Sequence, residues 1–156
     1  MYRFLRPLLF RLDPERAHEM SLRAAELVQT VAPSFVEQFS FEDERLKQRL
    51  WGTTFPNPVG LAAGADKNAR LIPFWEAIGF GFIEVGSVSA MAASGNPKPR
   101  AFRLPGDKAL INRMGLNNDG AAAVAERLEE GRSERMRPLG INLAKTHDPG
   151  VMGEAA

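Results

Sequence analysis

The chain of 156 residues contains no cysteine. Disulfides, thiolate nucleophiles and cysteine-ligated zinc are therefore excluded. Histidine is nearly absent as well. His18 and His147 lie far apart in sequence, so no metal site is expected. Neither sign of charge dominates: 20 Lys and Arg stand against 19 Asp and Glu, a net charge of +1. No basic stretch is interleaved with aromatics, and no nucleic-acid partner is expected. No apolar run is long enough to span a bilayer, and there is no internal repeat or low-complexity tract. The remaining composition, 44% hydrophobic and 25% charged, is ordinary for one soluble domain with a real core.

The first twelve residues hold Arg3, Arg6 and Arg11 and no acid, among Tyr2, Phe4, Leu5, Leu8, Leu9, Phe10 and Leu12. Arg11 interrupts the apolar stretch and no small-residue cleavage site follows, which argues against a signal peptide. Two readings stand: a short helix lying on an anionic membrane, or a basic terminal helix packed on its own domain. Asp13–Pro14 then marks a helix start, with Asp as N-cap and Pro in the first helical position. Ala17, Met20, Ala24, Leu27 or Val28, and Val31 recur at helical spacing, up to Ala32–Pro33. Residues 1–40 thus read as two or three short helices whose apolar face must be buried against protein, lipid or an apolar ligand.

The pattern changes after residue 40. Leu46–Phe55 reads as a short strand or hairpin arm, Val59–Ala62 as a short buried strand, and Arg70–Ile78 as a helix closing at Gly79. Phe80–Ser87 is a second buried strand and Ala90–Pro99 a loop. Phe102–Leu104 and Ala109–Ile111 flank a turn at Pro105–Gly106–Asp107. Ala121–Leu128 reads as a helix and Leu139–Leu143 as a third core strand, while Lys145–Ala156 carries no end signal. Strands alternating with helices indicate parallel βαβ units. Lys67, Ser87 and Asn142 all fall at the carboxyl ends of strands, the catalytic rim of an α/β barrel. A closed barrel needs about 250 residues, so a chain with three core strands forms only part of one.

The segment Asn57–Pro–Val–Gly–Leu–Ala–Ala–Gly–Ala–Asp–Lys67 is the most telling. Its small residues let a flat ligand lie against the backbone, and its lysine brings a positive charge to the strand end. It is not a phosphate loop, since the Gly-Lys-Ser/Thr ending is missing. Gly79–Phe–Gly81 lacks the third glycine of a dinucleotide fingerprint and reads as a helix-to-strand turn.

Six segments together resemble dihydroorotate dehydrogenases of the membrane-associated, quinone-using class (class 2). They are Leu12–Asp–Pro–Glu–Arg–Ala–His18, the Asn57–Lys67 segment, Gly79–Phe–Gly–Phe–Ile–Glu–Val–Gly–Ser87, Gly95–Asn–Pro–Lys–Pro–Arg–Ala–Phe–Arg–Leu104, Leu110–Ile–Asn–Arg–Met–Gly–Leu–Asn–Asn118 and Gly140–Ile–Asn142. They occur in the family's order and correspond to roughly the first half of a member. The resemblance implies an α/β fold: a partial (β/α)8 barrel over residues 41–156, truncated, preceded by a small helical segment over residues 1–40. It also implies an FMN cofactor, with dihydroorotate oxidised to orotate in pyrimidine synthesis. A base removes the C5 proton, a hydride passes from C6 to the flavin, and the reduced flavin hands its electrons to a quinone.

By the same resemblance Ala63, Gly64, Ala65, Asp66 and Lys67 line the FMN, joined by Ser87 and Asn142. Lys67 also meets the orotate carboxylate, and Asn112, Arg113, Met114, Gly115 and Leu116 form the loop over the pyrimidine ring. His18 and Arg103 match positions at the quinone tunnel, whose lining would include Leu5, Leu8, Leu9, Phe10, Met20 and Ala24. This favours a peripheral membrane location, on the cytoplasmic face of the cell membrane. The base is expected beyond residue 156, so no catalytic residue is assigned, and the chain alone is not expected to turn over. The sequence departs from the family in Ser89–Ala–Met–Ala–Ala–Ser94, which lacks the usual prolines, and at Ala65, where a bulkier residue is common. Two alternatives remain: another FMN barrel oxidoreductase with a different substrate or acceptor, and an inactive remnant that only binds a membrane or a partner.

Overall fold

The computed structural model describes residues 2–134 and 136–146, leaving aside the side chains of Tyr2, Arg3, Leu5 and Glu134. Beyond Thr146, the unsignalled tail and His147 lie outside the described residues.

Helix α1 runs Tyr2–Leu9, α2 Pro14–Val31 and α3 Pro33–Glu37. The start of α2 follows from its first residues. Asp13 caps it by accepting the amides of Glu15 and Arg16, both at 3.0 Å, with Pro14 in the first turn. Pro33 cannot continue the ladder, so α2 ends before it and α3 begins there. Among the described residues no helix is long and apolar enough to cross a membrane.

Strands β1 (Gln48–Leu50) and β2 (Thr53–Phe55) form an antiparallel hairpin. Next come β3 (Gly60–Leu61), α4 (Ile72–Ala77), β4 (Phe82–Val88), a second hairpin of β5 (Ala101–Leu104) and β6 (Ala109–Asn112), α5 (Ala121–Glu130), and β7 (Leu139–Leu143). β3, β4 and β7 make one parallel sheet with β4 in the middle. The molecule is therefore mixed α/β. Ile83 and Val85 of β4 are almost fully buried, packed with Ile72 from α4 and with Val124 and Leu128 from α5. That apolar contact holds the strand ends in place.

Three expectations need correction. β3 is shorter than Val59–Ala62 and only half-buried, with Val59 62% exposed. Among the described residues it pairs with β4 alone, as an edge strand of the sheet. β7 forms where expected but is not a core strand: Ile141 and Leu143 are exposed, because β7 is the opposite edge of the sheet. Helix α4 starts at Ile72 rather than Arg70, because the side chain of Asp66 takes the amides of Arg70 and Leu71.

Candidate functional site

The loop after β3 carries Ala63–Lys67 and is strapped to β4. The amide of Gly64 donates to the carbonyl of Gly86 at 2.7 Å, and the amide of Gly86 donates to the carbonyl of Asp66 at 3.4 Å. Gly64 has φ +107°, which an L side chain rarely adopts, and a Cβ there would meet nothing within 4 Å. The backbone at Gly64 is thus held in place yet open on its outer side, as a flat ligand lying on it requires. Asp66 behaves otherwise. It is 2% exposed, and its carboxylate accepts the amides of Arg70 (2.9 Å) and Leu71 (2.8 Å) and the indole N–H of Trp75 (3.3 Å). Its side chain anchors the loop to α4.

Lys67 is half-buried and reaches across to the loop after β6. Its ammonium donates to Asn117 Oδ1 at 2.6 Å and lies 3.6 Å from Met114 Sδ. Burial lowers its pKa, the nearby Arg100 guanidinium adds to that, and Glu15 opposes it. Lys67, Met114, Asn117, Ala65 and His18 all line one cavity of about 440 Å³ beneath α2. The structure therefore brings His18 together with the Ala65–Lys67 loop and with Met114.

Ser87 and Asn142 form a second cluster at the strand ends. The β4–β7 register shifts between Gly86 and Val88, leaving Ser87 out of the ladder. The Ser87 hydroxyl donates to Asn142 Oδ1, whose amide nitrogen in turn donates to Glu84 at 3.3 Å. Gly86 makes this approach possible. It has φ +110°, and a Cβ there would come within 2.5 Å of the Asn142 carbonyl oxygen.

Asn112, Arg113, Gly115, Leu116 and Arg103 do not line the cavity at Lys67. The Asn112 side chain accepts the amide of Met114 at 2.9 Å, so it shapes its own turn. Arg113 donates to the Pro99 carbonyl at 3.0 Å and lies over the Phe102 ring, on the hairpin rather than in the cavity. Gly115 and Leu116 take positive φ and complete the turn. Arg103 does not join His18. Its guanidinium donates to the Leu12 carbonyl at 2.6 Å, stacks on Phe10, and lines a separate cavity with Phe10, Leu12 and Pro14. The Arg103–Phe10 stack pulls the arginine toward the join of α1 and α2.

Sequence reading missed Glu15, Arg100, Asn117 and Asn118. Asn117 and Asn118 close the Leu110–Asn118 motif, and their side by side amides were the available signal. Buried Asn118 accepts the amides of Ser89 and Gly120 and donates to the Ser89 hydroxyl and the Leu116 carbonyl. Glu15 and Arg100 carry no such signal, since they pair across 85 residues.

Strand-end loops converging on a half-buried lysine, on a mixed α/β frame, define an enzyme-like site. The model of the family described as dihydroorotate dehydrogenase matches residues 45–152, and the chain belongs to that family. It is 53% identical over 148 residues to the dihydroorotate dehydrogenase (quinone) of Gloeobacter violaceus, covering 94% of this chain and 41% of that protein. The enzyme of the same name from Deinococcus radiodurans is 48% identical over 158 residues, covering 93% and 42% respectively. A ligand-free dihydroorotate dehydrogenase structure from Eimeria tenella superimposes with a TM-score of 0.69 at 38% identity, over 89% of this chain and 39% of that one. The ferulenol complex of the Eimeria tenella enzyme gives 0.67 at 39% identity, over 86% and 36%. The chain thus spans about two fifths of the length of the relatives it matches.

Proposed function

We propose that this chain supplies the cofactor-facing first part of a quinone-dependent dihydroorotate dehydrogenase. In this reading residues 41–156 are the opening strands and helices of a (β/α)8 barrel, and residues 1–40 are a helical segment that meets the membrane and guides a quinone. The observation that carries it is Lys67 reaching from the β3 loop to Met114 and Asn117 across a cavity that His18 also lines.

The residues fit a flat, anionic cofactor. Ala63, Gly64 and Ala65 offer small side chains and an open backbone, and Lys67 offers the cation. FMN, when bound, supplies the hydride acceptor and the link to a quinone. Lys67 would hold the orotate carboxylate and stabilise negative charge in a partly dry site. Its lowered pKa places it among groups whose proton responds to a bound anion, which would raise the pKa again. Ser87 and Asn142 would orient the cofactor from the β4 and β7 ends. Met114 would close the cavity on the substrate side, and His18 could hydrogen-bond a quinone carbonyl from α2. In this reading the base that removes the C5 proton lies outside residues 1–156. The location proposed is peripheral, on the cytoplasmic face of the membrane.

The test is the visible spectrum of the purified chain with FMN, before and after dihydroorotate. The expected result is a retained, shifted flavin band that dihydroorotate does not bleach, and that Lys67→Met weakens. No retained flavin sinks the cofactor reading for this chain, and bleaching by substrate refutes its incompleteness.

The exposed aromatics Phe4, Phe35, Phe39 and Phe41 favour one second reading, a module that only docks on a membrane or partner. Vesicle binding lost on changing Arg3, Arg6 and Arg11 to Glu, with no flavin retained, would select it.

A further inference from the structure

The fully buried residues of helix α2 are small, Ala17 and Ala25, with Leu22 and Val28 half-buried. It also presents acid. Glu15, Glu19 and Glu26 occupy one side of the helix at spacings of four and seven residues. Glu26 and Glu19 pair with Arg70, three residues after Lys67, at 2.6 and 3.6 Å. Glu15 pairs with Arg100 at 2.7 Å and with Lys98 at 3.1 Å.

The Arg100 contact differs from an ordinary surface pair. Arg100 is 5% exposed, and its Nε and Nη2 both donate to the Glu15 carboxylate. Its Nη1 donates to the carbonyls of Ser94 (2.6 Å), Asn96 (3.0 Å) and Met114 (3.3 Å). One guanidinium therefore fixes the first turn of α2, the 94–96 loop and Met114 at once. Its planar fork suits this where a single ammonium would not. His18 follows Glu15 by three residues, on the same face of α2, and Met114 lies against Lys67.

We infer that Glu15 and Arg100 are positioning residues: together they set the distance between the His18 wall and the Met114–Lys67 wall of the cavity. The inference rests on reading that cavity as the flavin and acceptor site, but its geometry is measurable without the cofactor.

The experiment uses the full chain labelled at the methionine methyls, compared as wild type, Glu15→Gln and Arg100→Lys, with Glu42→Gln as control. Glu42 pairs with Arg137 at 2.6 Å away from the cavity. The expected result, at a temperature where each variant is fully folded, is that the Met20 and Met114 signals move together in Glu15→Gln and in Arg100→Lys. Met136 should stay in place, and Glu42→Gln should leave Met20 and Met114 unmoved. FMN affinity should fall on the order of tenfold in the two cavity variants, as for other supporting contacts behind a binding site. A lower melting temperature with unmoved Met20 and Met114 signals would overturn the inference, leaving the pair as scaffold only. If Glu15→Gln does not fold, Arg100→Lys decides alone, since it keeps the charge and removes the fork. If the wild type retains no flavin, the functional reading falls while the methyl signals still decide the positioning.

Discussion

Lys67 and Asp66 are neighbours with opposite assignments. Lys67 faces the cavity and is held by a side-chain amide, a partner that a ligand's carboxylate can replace. Asp66 faces inward and is saturated by two backbone amides and an indole. A carboxylate that satisfies buried amides is costly to remove, because the amides are left unpaired. Asp66→Ala is expected to destabilise the chain by about 2–4 kcal/mol, read from denaturant unfolding. Asp66 would then be a stability residue even though it sits inside the segment that resembles a cofactor loop.

Glu15 makes a residue-scale prediction about pH. The hydrogen bond from Arg100, aided by Lys98, overcomes the effect of burial and lowers its pKa from 4.5 to about 2. A lowered carboxylate pKa adds stability that is complete above its unfolded value and is lost as pH falls through the folded one. The contribution is therefore full above about pH 4.5 and disappears towards pH 2. Its size is at most about 3 kcal/mol. In an acid titration followed by circular dichroism, Glu15→Gln is expected to show lower stability at neutral pH and a flatter loss between those limits.

Among the elements, the β4–β7 pair is the most demanding. The bulge that frees Ser87 requires two strand ends in close approach, and Gly86 allows it. Gly86→Ala adds a methyl against the Asn142 carbonyl at a φ that alanine rarely adopts. The expected cost is about 2–5 kcal/mol, combining backbone strain and overpacking. In Gly86→Ala the amide protons of β7 should exchange faster than those of α5. Equal protection in both elements, with no loss of stability, would show that the approach is not tight. Helix α2 is the opposite case. Its Glu15, Glu19 and Glu26 are paired with Arg70, Lys98 and Arg100, contacts that salt and acid weaken.

At the scale of the whole molecule, β3 and β7 are the edge strands of the parallel sheet among the described residues, and apolar side chains beside them are exposed. Leu143 is 76% exposed, Ile141 48% and Val59 62%. Apolar groups on an unpaired edge strand favour association. Leu143→Lys is expected to reduce concentration-dependent light scattering with a stability change within about 0.5 kcal/mol. Unchanged scattering would mean that β7 is not the sticky edge.

Much of the order of elements was legible. Asp13–Pro14, Pro33, Gly79 and the Pro105–Gly106–Asp107 turn act through local backbone chemistry, and the boundaries they mark follow directly. The Lys67 and Met114 segments were legible as motifs, because their residue types are unusual in that order. The strap to Gly86, the inward turn of Asp66 and the withdrawal of Arg103 to Phe10 were not. Each depends on which partner lies nearest in space, and residue type alone does not encode that.

By itself the sequence determined the start of α2 at Asp13–Pro14 and its end before Pro33, the alternation of strand and helix, the absence of thiol chemistry, and the family. These rest on composition and on short-range rules. Only the tertiary structure decided that Lys67 meets Asn117, that His18 shares its cavity while Arg103 does not, and that Glu15 and Arg100 lock α2 to the Met114 loop. Those contacts join residues up to 85 positions apart. They form because packing β4 against α4 and α5 brings the loops together, and because a buried guanidinium must find a carboxylate wherever the chain provides one.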